Sequence, residues 1–352
     1  MKTTALSGAL LAATILLDSC SNKEDSPVSP PEQIWVCDTS DCTRAVDVAG
    51  DYAFVVLYRP VFQVLDITES APILIGSCST SFNTYDLLVD GDLAFVSRNV
   101  GLDIIDISDA ARPALVGKYD RQIGSGSGMF RRSNILLTTT GYTGADPSLL
   151  CIDVSDAATP TLVGNLTYQY GLSWGEGDPM IALSHAVASG NFAIVSYEKD
   201  SVWWPYPPPL YGGMLLIDIS DPTKPFEATR VSAGLAIIVD MAVRDSLLFV
   251  VTGQRDGGSR LTIYDLSDLP NLPAIGSYSD SNYYAFLVEV AYNHVFLGGY
   301  SAIRVLNVST PSSPVLLRTL AVSGVVGDMA ISGEYIYLAK GEGGLEILKW
   351  TP

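Results

Sequence analysis

The stretch GLDIIDISDAARPALVGKYD, Gly101 to Asp120, has the pattern of two β-strands joined by a stiff polar corner. Apolar residues alternate with polar ones, or run together, on both sides of the corner, as they do in strands. The aspartate and serine of IDIS can accept hydrogen bonds from corner amides, and the proline fixes the turn. Close copies occupy residues 149–166 and 215–231. The repetition indicates a repeat protein.

A second phrase precedes these corners. It occurs as DLLVDGDLAFV (86–96), HAVASGNFAIV (185–195), DMAVRDSLLFV (240–250) and DMAISGEYIYL (328–338), and in diverged form elsewhere. Together the phrases predict a unit of four strands, A to D, with a tight A–B turn and the proline corner between C and D. The corner position holds, in successive units, Asp66, Asp106, Asp153, Asp218, Asp265, Asn307 and Lys349. We interpret its aspartates as architectural residues rather than catalysts, because they can bond their own backbone.

The spacing of the units predicts an all-β chain that folds as a single β-propeller. Seven four-stranded blades fit the sequence best; six or eight are the alternatives, because the third unit is degenerate. The last unit ends at GGLEILKWTP and has no strand D. QIWVCDTSDCTRAVDV (33–48) aligns with LIGSCSTSFNTYDLLV (74–89), so we expect the N-terminal strand to complete the last blade and close the ring. The propeller is expected to span residues 33–352.

At this point a family resemblance is clear. GLDIIDIS (101–108) and GMLLIDIS (213–220) resemble the LVIVD-repeat family of bacterial β-propellers. The resemblance runs from Ala45 to Trp350 and rests on the repeated phrase with its proline corner. It implies an extracytoplasmic propeller, and it transfers no catalytic residues.

The N-terminus has the form of an export signal. Its apolar run from Ala5 to Leu17 is too short to cross a bilayer and matches the core of a signal peptide. Because the run leads to Cys20, it resembles a bacterial lipoprotein signal, so we expect residues 1–19 to be removed and Cys20 to be lipidated. An ordinary secretory peptide is the alternative. Residues 20–32 are polar and proline-rich, as in a flexible tether.

The following SNKED segment resembles an export tag of surface lipoproteins. We therefore expect an outer-membrane lipoprotein of the cell envelope, and the sequence leaves open whether it faces the periplasm or the exterior. The 352 residues include 20 Lys and Arg against 38 Asp and Glu, a net charge of −18. This balance excludes nucleic acid as a partner, because phosphates require basic residues. It also disfavours docking on anionic lipid, which leaves the lipid anchor as the membrane contact of a monomeric propeller.

Export makes disulfides feasible. Cys37 and Cys42 flank a short DTSD turn and are the candidate pair. Cys78 and Cys151 fall inside strand-like segments and are expected to be buried thiols.

Long insertions are confined to the face that carries the D–A and B–C loops, and they are rich in aromatic residues. The candidate ligand-binding residues there are Trp174, Trp203, Trp204, Tyr206, Tyr211, Tyr283 and Tyr284. Two interpretations compete: the rings pack together to hold long loops, or some of them form exposed platforms for a sugar or peptide.

The first residue of each inner strand should face the central channel on that same side. Aligned on the A–B turn, these residues are Ala45, Asp86, Gly128, His185, Asp240, Glu289 and Asp328. Asp86, Asp240, Glu289 and Asp328 could bind Ca²⁺ through oxygen ligands, or polarise a substrate. The favoured interpretation is that each carboxylate bonds backbone amides of the neighbouring blade. No cofactor is otherwise expected.

Catalytic signatures are missing from the sequence, and the two histidines do not supply one. His294 falls at an A–B turn on the opposite face and is expected to be exposed. His185 lies beside the aromatic loops, where a neighbouring carboxylate should raise its pKa and make it a pH-sensitive contact. No zinc, P-loop or EF-hand spacing occurs.

The sequence therefore favours a binding module that presents its long-loop face to a glycan, a peptide or an envelope protein, rather than an enzyme. The alternatives are a scaffold subunit of an envelope complex, and a polysaccharide hydrolase or lyase that works through Asp86, His185, Asp240 or Glu289.

Overall fold

β-Strands form wherever the chain alternates apolar and polar residues or runs through Val, Ile and Leu. The computed structural model describes residues 28–29, 32–37, 42–68, 72–81, 84–98, 101–121, 128–140, 146–168, 180–200, 211–234, 236–253 and 258–350. These residues form 29 strands. No helix long and apolar enough to cross a membrane occurs in the same ranges.

The strands fall into seven sets of four and one additional short strand. The N-terminal strands are β1 (Val28–Ser29) and β2 (Glu32–Cys37). Blades one to three contain β3 (Thr43–Ala49), β4 (Tyr52–Leu57), β5 (Val61–Asp66), β6 (Ile73–Ser79), β7 (Thr84–Asp90), β8 (Leu93–Arg98), β9 (Gly101–Asp106), β10 (Ala114–Tyr119), β11 (Met129–Arg132), β12 (Ile135–Thr139), β13 (Ser148–Asp153) and β14 (Thr161–Thr167).

Blades four to seven continue the same order. They contain β15 (Met180–Ser189), β16 (Phe192–Asp200), β17 (Tyr211–Asp218), β18 (Phe226–Ser232), β19 (Ile237–Arg244), β20 (Leu247–Gly253), β21 (Ser259–Asp265), β22 (Ala274–Asp280), β23 (Ala285–Ala291), β24 (His294–Gly299), β25 (Ala302–Asn307), β26 (Val315–Ala321), β27 (Asp328–Ser332), β28 (Tyr335–Ala339) and β29 (Leu345–Lys349).

Within each blade the strands pair antiparallel, from the inner strand A to the outer strand D. Inner strands of neighbouring blades contact each other all the way round, and β27 of blade seven contacts β3 of blade one. The prediction of a seven-bladed propeller is therefore confirmed.

The N-terminal strand closes the ring, as the sequence predicts. β2 pairs antiparallel with β29 and serves as strand D of blade seven. Every C–D pair contains a register shift, and the β29–β2 pair has its own between Gln33 and Trp35. β2 therefore reproduces the local geometry of a strand D and pairs with an edge that would otherwise be open to other chains.

One pairing was not predicted. β1, which lies in the expected tether, pairs in parallel with β26, the outer strand of blade six. Val28 is opposite Thr319, and Ser29 is opposite Leu320. Part of the tether is thus held against the flank of the propeller.

The core lies between the blades. The buried apolar residues described form seven clusters, one at each blade–blade interface. In the cluster between blades six and seven, for example, Phe296 and Trp350 are almost fully buried, with ring centroids 4.8 Å apart. Each blade buries apolar side chains on both faces, which explains why the strands are apolar on successive residues as well as alternate ones.

The repeated corners are architectural. Oδ1 of Asp106 accepts a hydrogen bond from the amide of Ser108 at 2.9 Å. The same bond recurs at Asp66, Asp153, Asp218, Asp265 and Asn307. Asparagine serves equally well in blade six, so the corner requires an oxygen acceptor rather than a charge, and the interpretation of these residues is confirmed.

The two faces of the propeller differ. A–B turns and C–D corners lie on one face, the short-turn face; D–A and B–C loops lie on the other, the long-loop face. His294 is at the short-turn face, but the expectation that it is exposed is wrong. It is 9% exposed and packs edge-on against Trp350, with ring centroids 5.0 Å apart. Trp350 follows the last strand, and the sequence gives no sign that its ring covers this turn.

Candidate functional site

Acidic side chains gather where the inner strands meet, around the central axis. Five carboxylates form this ring, which we call the carboxylate ring: Asp47, Asp86, Asp240, Glu289 and Asp328. All five side chains are half-buried. They lie close enough to interact electrostatically, since the charges of Asp240, Asp328 and Asp47 raise the pKa of Glu289. The structure therefore brings together all four predicted carboxylates and adds Asp47.

Four of these carboxylates join neighbouring blades. Oδ2 of Asp328 in blade seven accepts a hydrogen bond from the amide of Val46 in blade one, at 2.9 Å. Equivalent bonds run from Val89 to Asp47, from Gly128 to Asp86 and from Val288 to Asp240, at 2.7–3.0 Å. The second oxygen of each group accepts the amide of the next residue in its own strand. Because inner strands have no partner on their axial side, these bonds satisfy amides that would otherwise be unpaired.

The interpretation of Asp86, Asp240 and Asp328 as inter-blade locks is therefore confirmed. In blade one the sequence alignment placed Ala45 at the lock position, and the structure assigns the lock to Asp47 instead. Ala45 is 1% exposed and packs in the core. Residues two apart share a side of a strand, so period-two alternation was the signal that could have found Asp47.

Enclosure near the axis changes the acidity of the ring. Burial raises the pKa of Asp240 to about 7 and that of Asp47 to about 6, against the opposing effect of their backbone hydrogen bonds. Burial also raises the pKa values of Asp86 and Asp328. Burial, followed by the charges of its neighbours, raises the pKa of Glu289 well above its usual value. The ring thus holds protons at pH values where exposed carboxylates are ionised.

Glu289 differs from the other four. Among the described residues it accepts no hydrogen bond from the next blade; the amide that influences it is that of Val290, the next residue in its own strand. Its carboxylate is therefore the member of the ring that is not committed to joining blades.

His185 also faces the ring, but its expected behaviour is wrong. Its amide donates to Ser196 Oγ at 2.8 Å, and its ring Nδ1 has no hydrogen-bond partner in the described part of the chain. Burial lowers its pKa, and the charges of Asp86 and Glu198 offset only part of that shift. The imidazole is consequently neutral at neutral pH, because desolvation outweighs the carboxylates that the sequence placed beside it.

The two adjacent tyrosines of the D–A loop before blade six have different roles. The Tyr283 hydroxyl lies 2.6 Å from the carbonyl oxygen of Leu297 and 2.7 Å from that of Ala302. The guanidinium of Arg304 lies 4.4 Å from its ring centroid. These contacts hold Tyr283 in a packing role, as the first interpretation of the aromatic residues requires.

Tyr284 is instead exposed. It is 39% accessible and stacks on Tyr300, which is 52% accessible, with centroids 6.3 Å apart and an interplanar angle of 28°. Phe286 meets the Tyr300 ring edge-on at 5.0 Å. We call these three residues the aromatic rim. Tyr300 and Phe286 are absent from the sequence-derived set because they lie in a short B–C loop and at a strand irregularity, away from any insertion.

Buried ion pairs lie at the long-loop ends of several blades. Arg98 Nε donates to Asp103 Oδ1 at 2.9 Å, and both side chains are at most 9% exposed. Lys340 and Glu346 pair at 2.5 Å with similar burial, and Arg304 pairs with Asp280 beside Tyr283. Of these pairs, Arg304–Asp280 lies at the base of the loop that carries Tyr284.

Several predicted residues fall outside the described part of the chain. They are Cys20, Trp174, Trp203, Trp204 and Tyr206, together with the side chains of Cys37 and Tyr211. Cys78 and Cys151 are free thiols. Cys151 is buried and Cys78 half-buried, and burial raises the pKa of both thiols, that of Cys151 to about 12. A Cys37–Cys42 disulfide stays a prediction.

Comparison with known families agrees with the repeats seen in the fold. The profile of the LVIVD repeat matches residues 42–80, 83–121, 142–167, 211–233 and 323–348. The chain carries LVIVD repeats. The matched segments cover blades one and two almost completely and parts of blades three, four and seven, so blades five and six have diverged furthest from the repeat.

Solved structures similar to this LVIVD-repeat propeller share its fold at low sequence identity. A chain of a mitotic checkpoint complex is 13% identical with a TM-score of 0.65, covering 96% of this chain and 100% of its own. The Pan2 WD40 domain of Neurospora crassa is 13% identical (TM-score 0.61; 89% and 90% covered). The computationally designed Ika8 protein is 10% identical (TM-score 0.58; 90% and 98% covered). A search of curated proteins gives no match.

The LVIVD-repeat propeller shows no metal-binding arrangement in its described residues, where no group of three or more His, Cys, Asp or Glu side chains could hold an ion. The ring carboxylates are instead oriented by backbone amides of adjacent strands. At these low identities, the similarity to solved structures shows the fold alone.

Proposed function

We propose that this chain is a lipid-anchored binding module of the cell envelope that takes a ligand or partner on its long-loop face. The aromatic rim carries the proposal. Tyr284 and Tyr300 expose a pair of stacked rings, and a contiguous exposed apolar patch is a common feature of interaction surfaces. Aromatic residues held in a fixed arrangement are common anchors of binding sites because they lose little entropy on binding.

Binding is better supported than catalysis. A hydrolase or lyase would need ring carboxylates as acid and base, yet four of the five each accept two backbone amides. Those hydrogen bonds join each blade to the next. The insertions at residues 169–179 and 201–210, which contain three of the five tryptophans, follow β14 and β16, which both end at the same face.

Replacement of the rim should abolish binding. We expect a Tyr284→Ala, Tyr300→Ala double variant to bind at least about tenfold more weakly to any glycan, peptide or envelope protein identified with the parent protein. Tyr292→Ala is the matched control, because Tyr292 is 56% exposed on the opposite face. Surface plasmon resonance on all three proteins makes the comparison. Equal affinity of the double variant and the parent would place the binding surface elsewhere.

The anchor is tested separately. We expect the parent protein to incorporate a palmitate analogue and to sediment with membranes, and a Cys20→Ser variant to do neither. Label on the Cys20→Ser variant would contradict lipidation at this residue, and an unlabelled, secreted parent would indicate an ordinary signal peptide.

A further inference from the structure

Blade six differs from the other blades at its short-turn end. In blades one to five the C–D corner carries two acidic residues three positions apart: Asp66 and Glu69, Asp106 and Asp109, Asp153 and Asp156, Asp218 and Asp221, and Asp265 and Asp268. The same two positions of blade six are Asn307 and Thr310. Tyr292 and Asn293, in the A–B turn of this blade, are uncharged as well. The short-turn face therefore carries carboxylates at five corners and none at the corner of blade six.

Hydrogen bonds keep the corner carboxylates of the other blades ionised. The hydroxyl and the amide of Ser108 lower the pKa of Asp106. The equivalent bonds lower the pKa values of Asp66, Asp218 and Asp265. An anionic lipid surface repels such groups. The net charge of −18 argues against membrane contact for the chain as a whole, but the corner charges that contribute to it do not extend to blade six.

Apolar side chains are exposed at this uncharged end. Tyr292 is 56% exposed, and Val315 and Leu317, at the start of β26, are 55% and 42% exposed. A row of paired residues runs across the four strands from Ala291, beside Tyr292, to Val315, a distance of about 14 Å. The one charged residue of β26 is a cation, Arg318. We call Tyr292, Val315 and Leu317 the blade-six patch.

The N-terminal strand attaches the anchor to this same blade. β1 pairs with β26, and because the pairing is parallel, Val28 is the end of β1 nearer to the blade-six patch. Cys20 precedes Val28 by eight residues. An extended chain spans at most about 3.6 Å per residue, so a lipid on Cys20 would be attached within about 29 Å of this strand. So short a connection gives the patch a high effective concentration at the membrane, and a weak contact then suffices to orient the protein.

A lipid surface fits the composition of the patch. Tyrosine beside aliphatic residues is common where proteins lie at a bilayer interface, and the stem of Arg318 can cover apolar surface while its charge stays in water. Blade one provides a contrast, because Ile73 and Leu74 are as exposed as Val315 but follow the acidic corner of Asp66. No additional strand pairs with β6 in the described part of the chain. The uncharged corner and the attached N-terminal strand therefore distinguish blade six, rather than apolar exposure alone.

We propose that the blade-six patch docks on the lipid surface beside the anchor, so that the propeller is held with its long-loop face directed away from the membrane. This inference rests on the lipid anchor of the proposed function and specifies the orientation of the anchored protein. The aromatic rim lies at the opposite end of the same blade and stays accessible to a partner in this orientation. The patch takes no part in the ligand binding proposed for the rim.

The test uses hydroxyl-radical footprinting, read by mass spectrometry, of the lipidated protein on vesicles of phosphatidylethanolamine and phosphatidylglycerol. We expect Tyr292 to be oxidised severalfold more slowly than Tyr300. Tyr300 is the internal control, because it is 52% exposed in the same blade at the opposite face. The ratio of the two oxidation rates cancels any consumption of radicals by the lipid. Equal rates in the parent protein would overturn the proposal without the use of any variant.

Two double variants identify the contact. Val315→Glu with Leu317→Glu should raise the Tyr292-to-Tyr300 ratio severalfold, because two carboxylates would face the lipid in place of apolar side chains. Ile73→Glu with Leu74→Glu adds the same charge at the start of strand D in blade one, and should retain the ratio of the parent. A low ratio in the parent and in both variants alike would mean that Val315 and Leu317 do not contact the lipid, which overturns docking by the blade-six patch.

Sedimentation with the vesicles separates this inference from the anchor on which it rests. If the parent sediments but Tyr292 is oxidised as fast as Tyr300, the docking is wrong and the anchor stands. If the parent does not sediment, both the anchor and the docking fail, and ligand binding at the aromatic rim is unaffected by either result.

Discussion

A Gly117→Ala variant is expected to lose about 3 kcal/mol of unfolding free energy, because one added methyl group would collide with the neighbouring blade. An ideal Cβ on Gly117 would lie closer than 3.0 Å to the carbonyl oxygen of Ala157, in the C–D corner of blade three. Backbone atoms of a corner held by Asp153 and Asp156 cannot move aside cheaply. Urea titration followed by tryptophan fluorescence measures the loss as a lower midpoint.

The same contact explains a pattern in the repeats. In strand D, the residue just after the register shift is glycine in four blades, at Gly76, Gly117, Gly164 and Gly276. Each would place a Cβ against a backbone oxygen of the next blade's corner. The equivalent residues in blades four and six are Thr229 and Arg318. Blade six is followed by blade seven, whose strands C and D are β29 and β2 and are therefore not joined by a C–D corner.

These exceptions supply the control. Arg318→Ala changes the same register position where no corner approaches, so it should shift the urea midpoint much less than Gly117→Ala does. A Gly117→Ala variant as stable as the parent would show that blades two and three can separate far enough to admit the methyl group without cost.

Much of the fold could be predicted because its signals are local and repeated. The Asp106 corner bonds its own backbone within two residues, so one phrase reveals the geometry wherever it occurs. Strand D of blade seven is distant in sequence, yet β2 was identifiable because its sequence matches that of another strand D. Repetition thus supplied non-local information that a single strand lacks.

The site was predictable only in part, because it depends on how blades meet. Alignment located Asp86, Asp240 and Asp328, whereas Asp47 lies two residues further along its strand and was missed. The pKa of His185 depends on the balance of desolvation and charge, which only the packed structure provides. Tyr283 and Tyr284 are adjacent residues of the same type, so the sequence could not distinguish them. In the structure Tyr283 packs inward and Tyr284 is exposed, because the two side chains point in different directions.

The second large effect concerns pH: the propeller should become less stable as pH rises from about 5 to about 8. Carboxylates of the ring have raised pKa values when folded, about 6 for Asp47 and about 7 for Asp240. Between the unfolded pKa near 4 and these values, the folded state binds more protons than the unfolded state, so its stability falls with rising pH. His185 acts oppositely below its usual pKa of about 6.5, because burial lowers its pKa and it must stay neutral when folded.

Asp240→Asn isolates one contribution to that slope. Of the shift from 3.8 to about 7, the two units above pH 5 correspond to about 2.7 kcal/mol, and water along the axis should reduce this to about 2 kcal/mol. The variant should therefore lose about 2 kcal/mol less than the parent between pH 5 and pH 8, in urea titrations at each pH. Asp51→Asn removes the same charge from an exposed A–B turn and should retain the parent's slope. Stability that rises over this range in the parent, or an unchanged slope in Asp240→Asn, would mean that the ring stays ionised and that its amide hydrogen bonds outweigh its enclosure.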